Sequence, residues 1–337
     1  MKGDNNHSRR QFLKKGIHSA ALATMLPAGL NANCIFNMNN AEQDNFVYRT
    51  LGNTEIKLPI ISMGTEATNN VKLIKAALDS GVRLLATSPY YANGNNEIVL
   101  GEAIKDRDRD SVYVATNGIP DGIDRKAGLF TNESKTEKFL KKIDESLKRL
   151  NVDYIDFFFL PFCAKRESVF FEPLLRAMEK AKELGKAKYI GIATHKFEDE
   201  AILAAIESRI YDVVMTSYNI REKKRDAIAD AIEKAAQAGL GVFGMKTMAG
   251  GFWDKEKTQP LNTKASLKWV LQNKNIHTTV PGITTYEQLE QDISIMGDLE
   301  LTEEEKYDLK LVQTESKNGL YCHWLHVWLS ATRSLSY

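Results

Sequence analysis

Tyr91, His195 and Lys246 are the side chains in this sequence best suited to move or hold a proton, and each stands where a short apolar run ends. Tyr91 closes Ser88-Pro89-Tyr90-Tyr91, His195 closes Gly191-Ile192-Ala193-Thr194-His195, and Lys246 follows Gly241-Val242-Phe243-Gly244-Met245. A tyrosine hydroxyl titrates near pH ~10, so it works as an acid at neutral pH only when a nearby cation steadies its phenolate. A histidine beside it could polarise a bound oxygen. Plainer readings stand next to these: Tyr91 as a loop anchor, His195 as a loop histidine facing solvent, and Tyr218 as a core aromatic. Cys322, His323 and His326 fall one ligand short of a four-coordinate site, so no metal is expected.

The elements that must position these residues are legible from periodicity. From Phe46 onward, short β-rich runs alternate with longer amphipathic segments, the pattern of parallel strands joined by helices. The strand candidates are Ile60 to Met63, Leu84 to Thr87, Val112 to Asn117, Ile155 to Leu160, Tyr189 to Thr194, Val213 to Tyr218, Gly241 to Met245 and Thr278 to Pro281. Helical spacing occupies Lys138 to Leu150, Leu174 to Leu184, Arg225 to Ala238 and Thr263 to Gln272. Eight such units predict an α/β fold, a closed (β/α)8 TIM barrel, with Val47 to Ile60 forming an N-terminal β-hairpin before its first strand. In a barrel of this kind, chemistry sits where strands end and the following loops begin.

The stretch Gly81 to Gly101, GVRLLATSPYYANGNNEIVLG, resembles the second strand and loop of the aldo/keto reductase superfamily, with Thr87, Pro89, Tyr91, Glu97, Leu100 and Gly101 in step. Val112 to Gly118 resembles that family's third strand, and Arg149 to Pro161 its fourth. Leu51, Gly52, Thr54 and Gly64 match its opening. The resemblance implies reduction of a carbonyl by a nicotinamide, the proton coming from a tyrosine that a lysine, an aspartate and a histidine support. Aligned on the flanking residues, that tetrad falls on Ala86, Tyr91, Asn117 and Pro161, so only Tyr91 is retained. His195, next to the strand that lost its histidine, is the candidate replacement. Lys246 lies across the barrel from the strand that lost its lysine.

The cofactor side is better kept. Gly185 to His195 is similar to the element whose last two residues hold the nicotinamide amide, here Thr194 and His195. Tyr218-Asn219 matches the aromatic pair whose ring stacks on the nicotinamide. Pro281 to Asp292 resembles the loop and helix start that receive the adenosine phosphate, which assigns Gly282, Thr284, Gln288 and Gln291 to NADP(H). Asp292 is unfavourable beside a phosphate, and Lys246 could supply the missing positive charge. The function implied is an NADP(H)-dependent oxidoreductase with a degenerate tetrad, acting on a small-molecule carbonyl or sugar-like substrate. The alternative is a non-catalytic barrel that binds a nucleotide or a small polar ligand.

Charge and composition bound the partners. With 45 Lys plus Arg against 44 Asp plus Glu there is no basic excess, which argues against nucleic acid. Ser8-Arg9-Arg10-Gln11-Phe12-Leu13-Lys14 and the modestly apolar Ile17 to Leu30 match a twin-arginine signal over residues 1–32, predicting export to the periplasm or cell envelope without a membrane span. The barrel is expected over residues 46–316 and a short apolar tail over 317–337. That leader, Met245-Lys246 before Ala249-Gly250-Gly251, and the Cys-containing tail resemble the branch of the family with a ferredoxin-like ending. Four clustered cysteines would be needed there and the tail has one, Cys322, so an iron–sulfur cluster is not expected.

Overall fold

The computed structural model describes residues 45–248, 250 and 260–316. The leader, Cys34 and the tail with Cys322, His323 and His326 lie outside them. Among the described residues, no helix is long and apolar enough to cross a membrane, and no group of three or more His, Cys, Asp or Glu is placed to hold a metal ion.

Eight parallel strands build the barrel: β3 (Met63–Gly64), β4 (Leu84–Ala86), β5 (Tyr113–Asn117), β8 (Ile155–Leu160), β9 (Ala187–Thr194), β10 (Val213–Ser217), β11 (Gly241–Met245) and β12 (Thr278–Thr279). They pair in sequence order, and parallel bridges from Ile61 to Thr279 and from Gly64 to Gly282 close the ring. The two terminal strands are shorter than the expected Ile60 to Met63 and Thr278 to Pro281. At the last strand the reason is local, since Pro281 has no N–H to add to the ladder. At the seam single bonds hold instead: Ser62 donates its N–H to the Thr279 carbonyl at 2.8 Å, and Thr279 donates to the Ile60 carbonyl at 2.9 Å.

Alternation along β8 divides the core in two. Phe157 and Phe159 point into the barrel, where Phe243 packs edge-on against both with ring centroids 5.3 and 5.5 Å away. Phe158 and Leu160 point outward beneath the helices. The helix Thr136–Leu150 answers that face with Phe139, Ile143, Ser146 and Leu150, one buried residue per turn. It stops at Asn151, whose left-handed φ of 55° ends the helical ladder.

Two hairpins decorate the ring. β1 (Tyr48–Thr50) and β2 (Lys57–Pro59) pair antiparallel, as expected, and place Leu51 and Leu58 in the inner core at the end where strands begin. β6 (Ile123–Asp124) and β7 (Leu129–Phe130) form a second antiparallel pair within the loop after β5. No sequence pattern announced that one.

Candidate active site

Several motif residues turn out to be structural. Glu97 is fully buried and accepts from Thr116 Oγ1 at 2.7 Å and Arg149 Nε at 2.6 Å, tying the loop after β4 to β5 and to the helix Thr136–Leu150. Gly101 presses against the Leu150 carbonyl, so a β-carbon there would collide with backbone. Asn96 is a second hub. Its side-chain oxygen accepts from Thr65 and Thr87, and its amide donates to the Thr65 and Thr68 carbonyls. The loop after β3, which carries Glu66, is thereby fixed to the segment that starts at Tyr91.

The three positions on which the sequence placed the rest of the tetrad are Ala86, Asn117 and Pro161. Ala86 is nearly buried in the inner core, and its carbonyl accepts from the Thr65 hydroxyl at 3.0 Å. Asn117 accepts from Ser88 Oγ at 3.1 Å. Pro161 is buried and precedes Phe162, which is held at a left-handed φ of 64°. The Arg125 guanidinium lies 5.1 Å from the Phe162 ring centroid and donates to the Tyr90 hydroxyl, so the β6–β7 loop reaches over this part of the barrel.

At the strand ends, five titratable groups share one electrostatic field. Burial and the carboxylate of Glu66 push the Tyr91 hydroxyl above its ordinary range. Burial raises Glu66 while Lys246 pulls it down, and burial lowers Lys246 while Glu66 and Glu198 oppose that. Burial and Lys246 drop His195 to about 3, so its ring is neutral at physiological pH, and burial raises Glu198 to about 7. Glu66 and Lys246 keep solvent-exposed tips although protein surrounds them, the situation of side chains rimming a concave mouth. Lys246 also takes a left-handed φ of 53°, a conformation that costs a non-glycine residue about 1 to 3 kcal/mol and gathers at functional sites. Lys246 therefore belongs to the mouth beside Tyr91 and Glu66, not only to the phosphate end.

The remaining expected residues divide. Thr194 is buried, with Oγ1 donating to the Lys196 carbonyl at 3.1 Å. His195 Nδ1 is sealed from solvent and has no hydrogen-bond partner among the described residues, an orphan that a ligand amide or hydroxyl would satisfy. Tyr218 differs from expectation: alternation along β10 turns it outward, where its ring stacks on Trp269 at 5.3 Å and is 6% exposed. That is core packing, and one face of the ring is taken. Gly282, Thr284 and Gln288 are exposed at the start of the helix Tyr286–Met296, while Gln291 donates to Thr263 Oγ1 at 3.0 Å.

Glu66 and Glu198 escaped the sequence reading. Both lie a few residues past strand ends, one in the loop after β3 and the other in the first turn of the helix after β9, outside any motif that marks a strand terminus.

Residues 61–266 match the model of the aldo/keto reductase family. The chain belongs to that family. It is 24% identical over 296 residues to an oxidoreductase of Bacillus subtilis, YqkF, a match covering 80% of this chain and 94% of the relative. It is 24% identical to the L-galactose dehydrogenase of Arabidopsis thaliana, covering 75% and 88%, and 24% identical to the NADH-specific methylglyoxal reductase of Escherichia coli, covering 73% and 92%. Among solved structures, the holo form of an aldo-keto reductase from Bacillus halodurans superposes with a TM-score of 0.63 at 18% identity, covering 79% of this chain and 96% of that one. Family members generally use NADH or NADPH. The nicotinamide end of such a cofactor fits the residues present here, because His195 Nδ1 is an orphan next to a buried threonine and a cation lies nearby.

Proposed function

We propose that this aldo/keto reductase is a nicotinamide-dependent oxidoreductase that interconverts a small carbonyl compound and its alcohol, with sugar-like molecules inside its range. The observation that carries this reading is the set of groups at the strand ends, where Tyr91 feels Glu66, and Glu66 is linked through Lys246 to Glu198 and to His195 with its orphaned Nδ1. Thr194 and His195 would hold the nicotinamide amide, and the dinucleotide supplies hydride chemistry when bound.

Tyr91 donates a hydrogen bond to the substrate oxygen as a neutral phenol and passes its proton to the alkoxide left by hydride addition, a stronger base than the phenolate, with reprotonation from solvent. Lys246, coupled to Glu66 and Glu198, would offset negative charge gathering at the mouth. His195 stays neutral and orients. The names of the Arabidopsis thaliana and Escherichia coli relatives, a sugar dehydrogenase and a methylglyoxal reductase, support the substrate class.

The test is a spectroscopic titration with NADH and NADPH, followed by turnover assays over short aldehydes, ketoaldehydes and aldoses in both directions. Cofactor binding without turnover of any of them favours the non-catalytic ligand-binding barrel, and no binding removes both readings.

We also propose twin-arginine export, carried by Ser8-Arg9-Arg10-Gln11-Phe12-Leu13-Lys14. Replacing Arg9 and Arg10 together by lysine in a reporter fusion is expected to abolish export, and unchanged export would refute the signal. That route accepts folded proteins, so nucleotide should be recoverable from the purified, unsupplemented protein.

A further inference from the structure

We propose that the protein carries a second small-molecule site, outside the barrel mouth, that binds a carboxylate with an apolar body through Arg125. The site does not depend on the nicotinamide-dependent reading above.

The site is a cavity of about 560 Å³ between the loops that follow β4 and β5 and the helix Thr136–Leu150. That volume suits a small organic molecule. Ile119, Pro120 and Ile123 give the cavity an apolar side, and Tyr90 adds an aromatic one. Lys142, Glu145 and Arg149, spaced three and four residues apart along the helix, supply a charged floor. Tyr91, His195 and Lys246 are not among its lining residues.

Most of the charge there is already paired. Arg149 is committed to Glu97 through Nε at 2.6 Å and to Ser146 through Nη2 at 3.0 Å, with Glu145 at 4.0 Å. Asp121 lies 3.7 Å from Lys138 and 4.0 Å from Lys142. Arg125 is different, since it forms no ion pair with a carboxylate among the described residues. Its guanidinium lies 5.1 Å from the Phe162 ring centroid and 5.6 Å from that of Tyr90, two rings that meet edge-on, and it donates to the Tyr90 hydroxyl. A cation in such an aromatic corner is fixed in direction but not neutralised. A guanidinium has five N–H donors and Tyr90 accepts from one side of it, so donors remain for a carboxylate.

The loop that carries Arg125 is held in advance. Asp124 Oδ1 accepts from the Lys126 and Ala127 N–H groups at 3.0 and 2.9 Å, and the Gly128 N–H donates to the Asp124 carbonyl at 2.8 Å. Ser134 Oγ donates to the Gly122 carbonyl at 2.9 Å, closing the base of the hairpin. An arginine that served only to pin this hairpin would be covered, whereas Arg125 is half-buried and lines the cavity.

The cavity adjoins Tyr91 without including it. Tyr90 and Asn93, on either side of Tyr91, both line it, and Ala92 and Asn93 hold left-handed φ values of 49° and 52°, strained for residues with a β-carbon. A β-carbon at Gly94 would stand 2.9 Å from Arg149 Cδ, so this turn sits directly on the helix floor. A ligand held by Arg125 is therefore in reach of the residues on both sides of Tyr91.

The experiment is calorimetric titration of the full purified chain, freed of nucleotide, with phenylacetate and with its neutral isostere phenylacetamide. Phenylacetate is expected to bind with a Kd below about 1 mM and at least about tenfold more tightly than the amide, the order of effect of a charge-assisted pair. Arg125→Met keeps the packing stem and should weaken phenylacetate at least about tenfold. Tyr90→Phe keeps both rings and removes only the hydroxyl that aims the guanidinium, so it should weaken binding about threefold. Lys246→Met, at the mouth, should leave the affinity within about twofold. Failure of phenylacetate to bind, equal binding of the amide, or an affinity unchanged by Arg125→Met overturns the site. If Arg125→Met does not fold, Tyr90→Phe decides, and an unchanged affinity there overturns it. Loss of binding in Lys246→Met with Arg125→Met unaffected would put the carboxylate at the mouth and overturn it as well.

Discussion

Tyr91 keeps its proton far too well to be an ordinary catalytic acid. Nothing lowers its pKa once Asn117 stands where a lysine would be, and Glu66 adds to the effect of burial. A hydroxyl in that state still donates a hydrogen bond, so Tyr91→Phe should lower kcat by about 10² or more while leaving cofactor affinity within about twofold. Because the hydroxyl is shifted upward, the rate should show no loss from Tyr91 ionisation below pH ~10, where a lysine-supported tyrosine would already have titrated. An alkaline limb near neutrality that disappears in Tyr91→Phe would contradict this.

Glu198 provides a second residue-level prediction. Its carboxyl is raised to about 7, so it is neutral below that pH and charged above it. Negative charge at the mouth opposes an anionic dinucleotide. Cofactor affinity should therefore fall as pH rises from 6 to 8.5, and Glu198→Gln should flatten that dependence. The readout is Kd by titration, and an affinity that rises with pH in the unaltered chain would rule the idea out.

At the scale of elements, the residues that made the family recognisable are mostly those that lock elements together. Arg149 holds the fully buried Glu97, and Asp156 accepts from Arg109 Nη2 at 2.5 Å and from the Val114 N–H at 2.9 Å, joining β8 to β5. Removing one partner of such a pair strands a charge, so Arg149→Met should cost about 3 to 5 kcal/mol in urea unfolding. A loss below about 1 kcal/mol would show that Glu97 finds other donors. This division explains what the sequence made legible. Strands and helices follow local alternation and periodicity, and β8 and β11 appear at their predicted bounds. The positions expected for the tetrad could be aligned because their flanks are scaffold. The mouth cluster could not, since Glu66, Glu198 and Lys246 follow three different strands and come under one another's charge only when the barrel closes. The packing of Tyr218 was hidden for a related reason. Its ring packs on Trp269, which arrives from another helix.

Across the whole molecule, the two ends of the barrel do different work, and Arg49 permits a clean separation of them. It sits on β1 at the end opposite the mouth and donates to three carbonyls, those of Leu271 at 2.7 Å, Asn273 at 3.0 Å and Ile276 at 2.5 Å. Those carbonyls lie at the end of one helix and in the loop leading to β12, so the hairpin clamps the last βα unit against the first strands. Burial lowers the Arg49 pKa, yet a guanidinium remains charged at any pH the fold survives. Arg49→Ala removes the guanidinium from the Leu271 and Ile276 carbonyls, while that of Asn273 keeps the Ile276 N–H, a loss of about 2 to 4 kcal/mol. Arg49→Lys keeps the charge but not the planar fork, so it should recover only part of that. Neither change reaches the mouth, and kcat and KM measured well below the melting transition should stay within about twofold. Chemical unfolding alongside steady-state kinetics on the same preparations checks both halves. A variant that stays fully folded but loses turnover would mean that closure of the seam between β12 and β3 is transmitted to Lys246 and Glu66, and the separation of the two ends would fail.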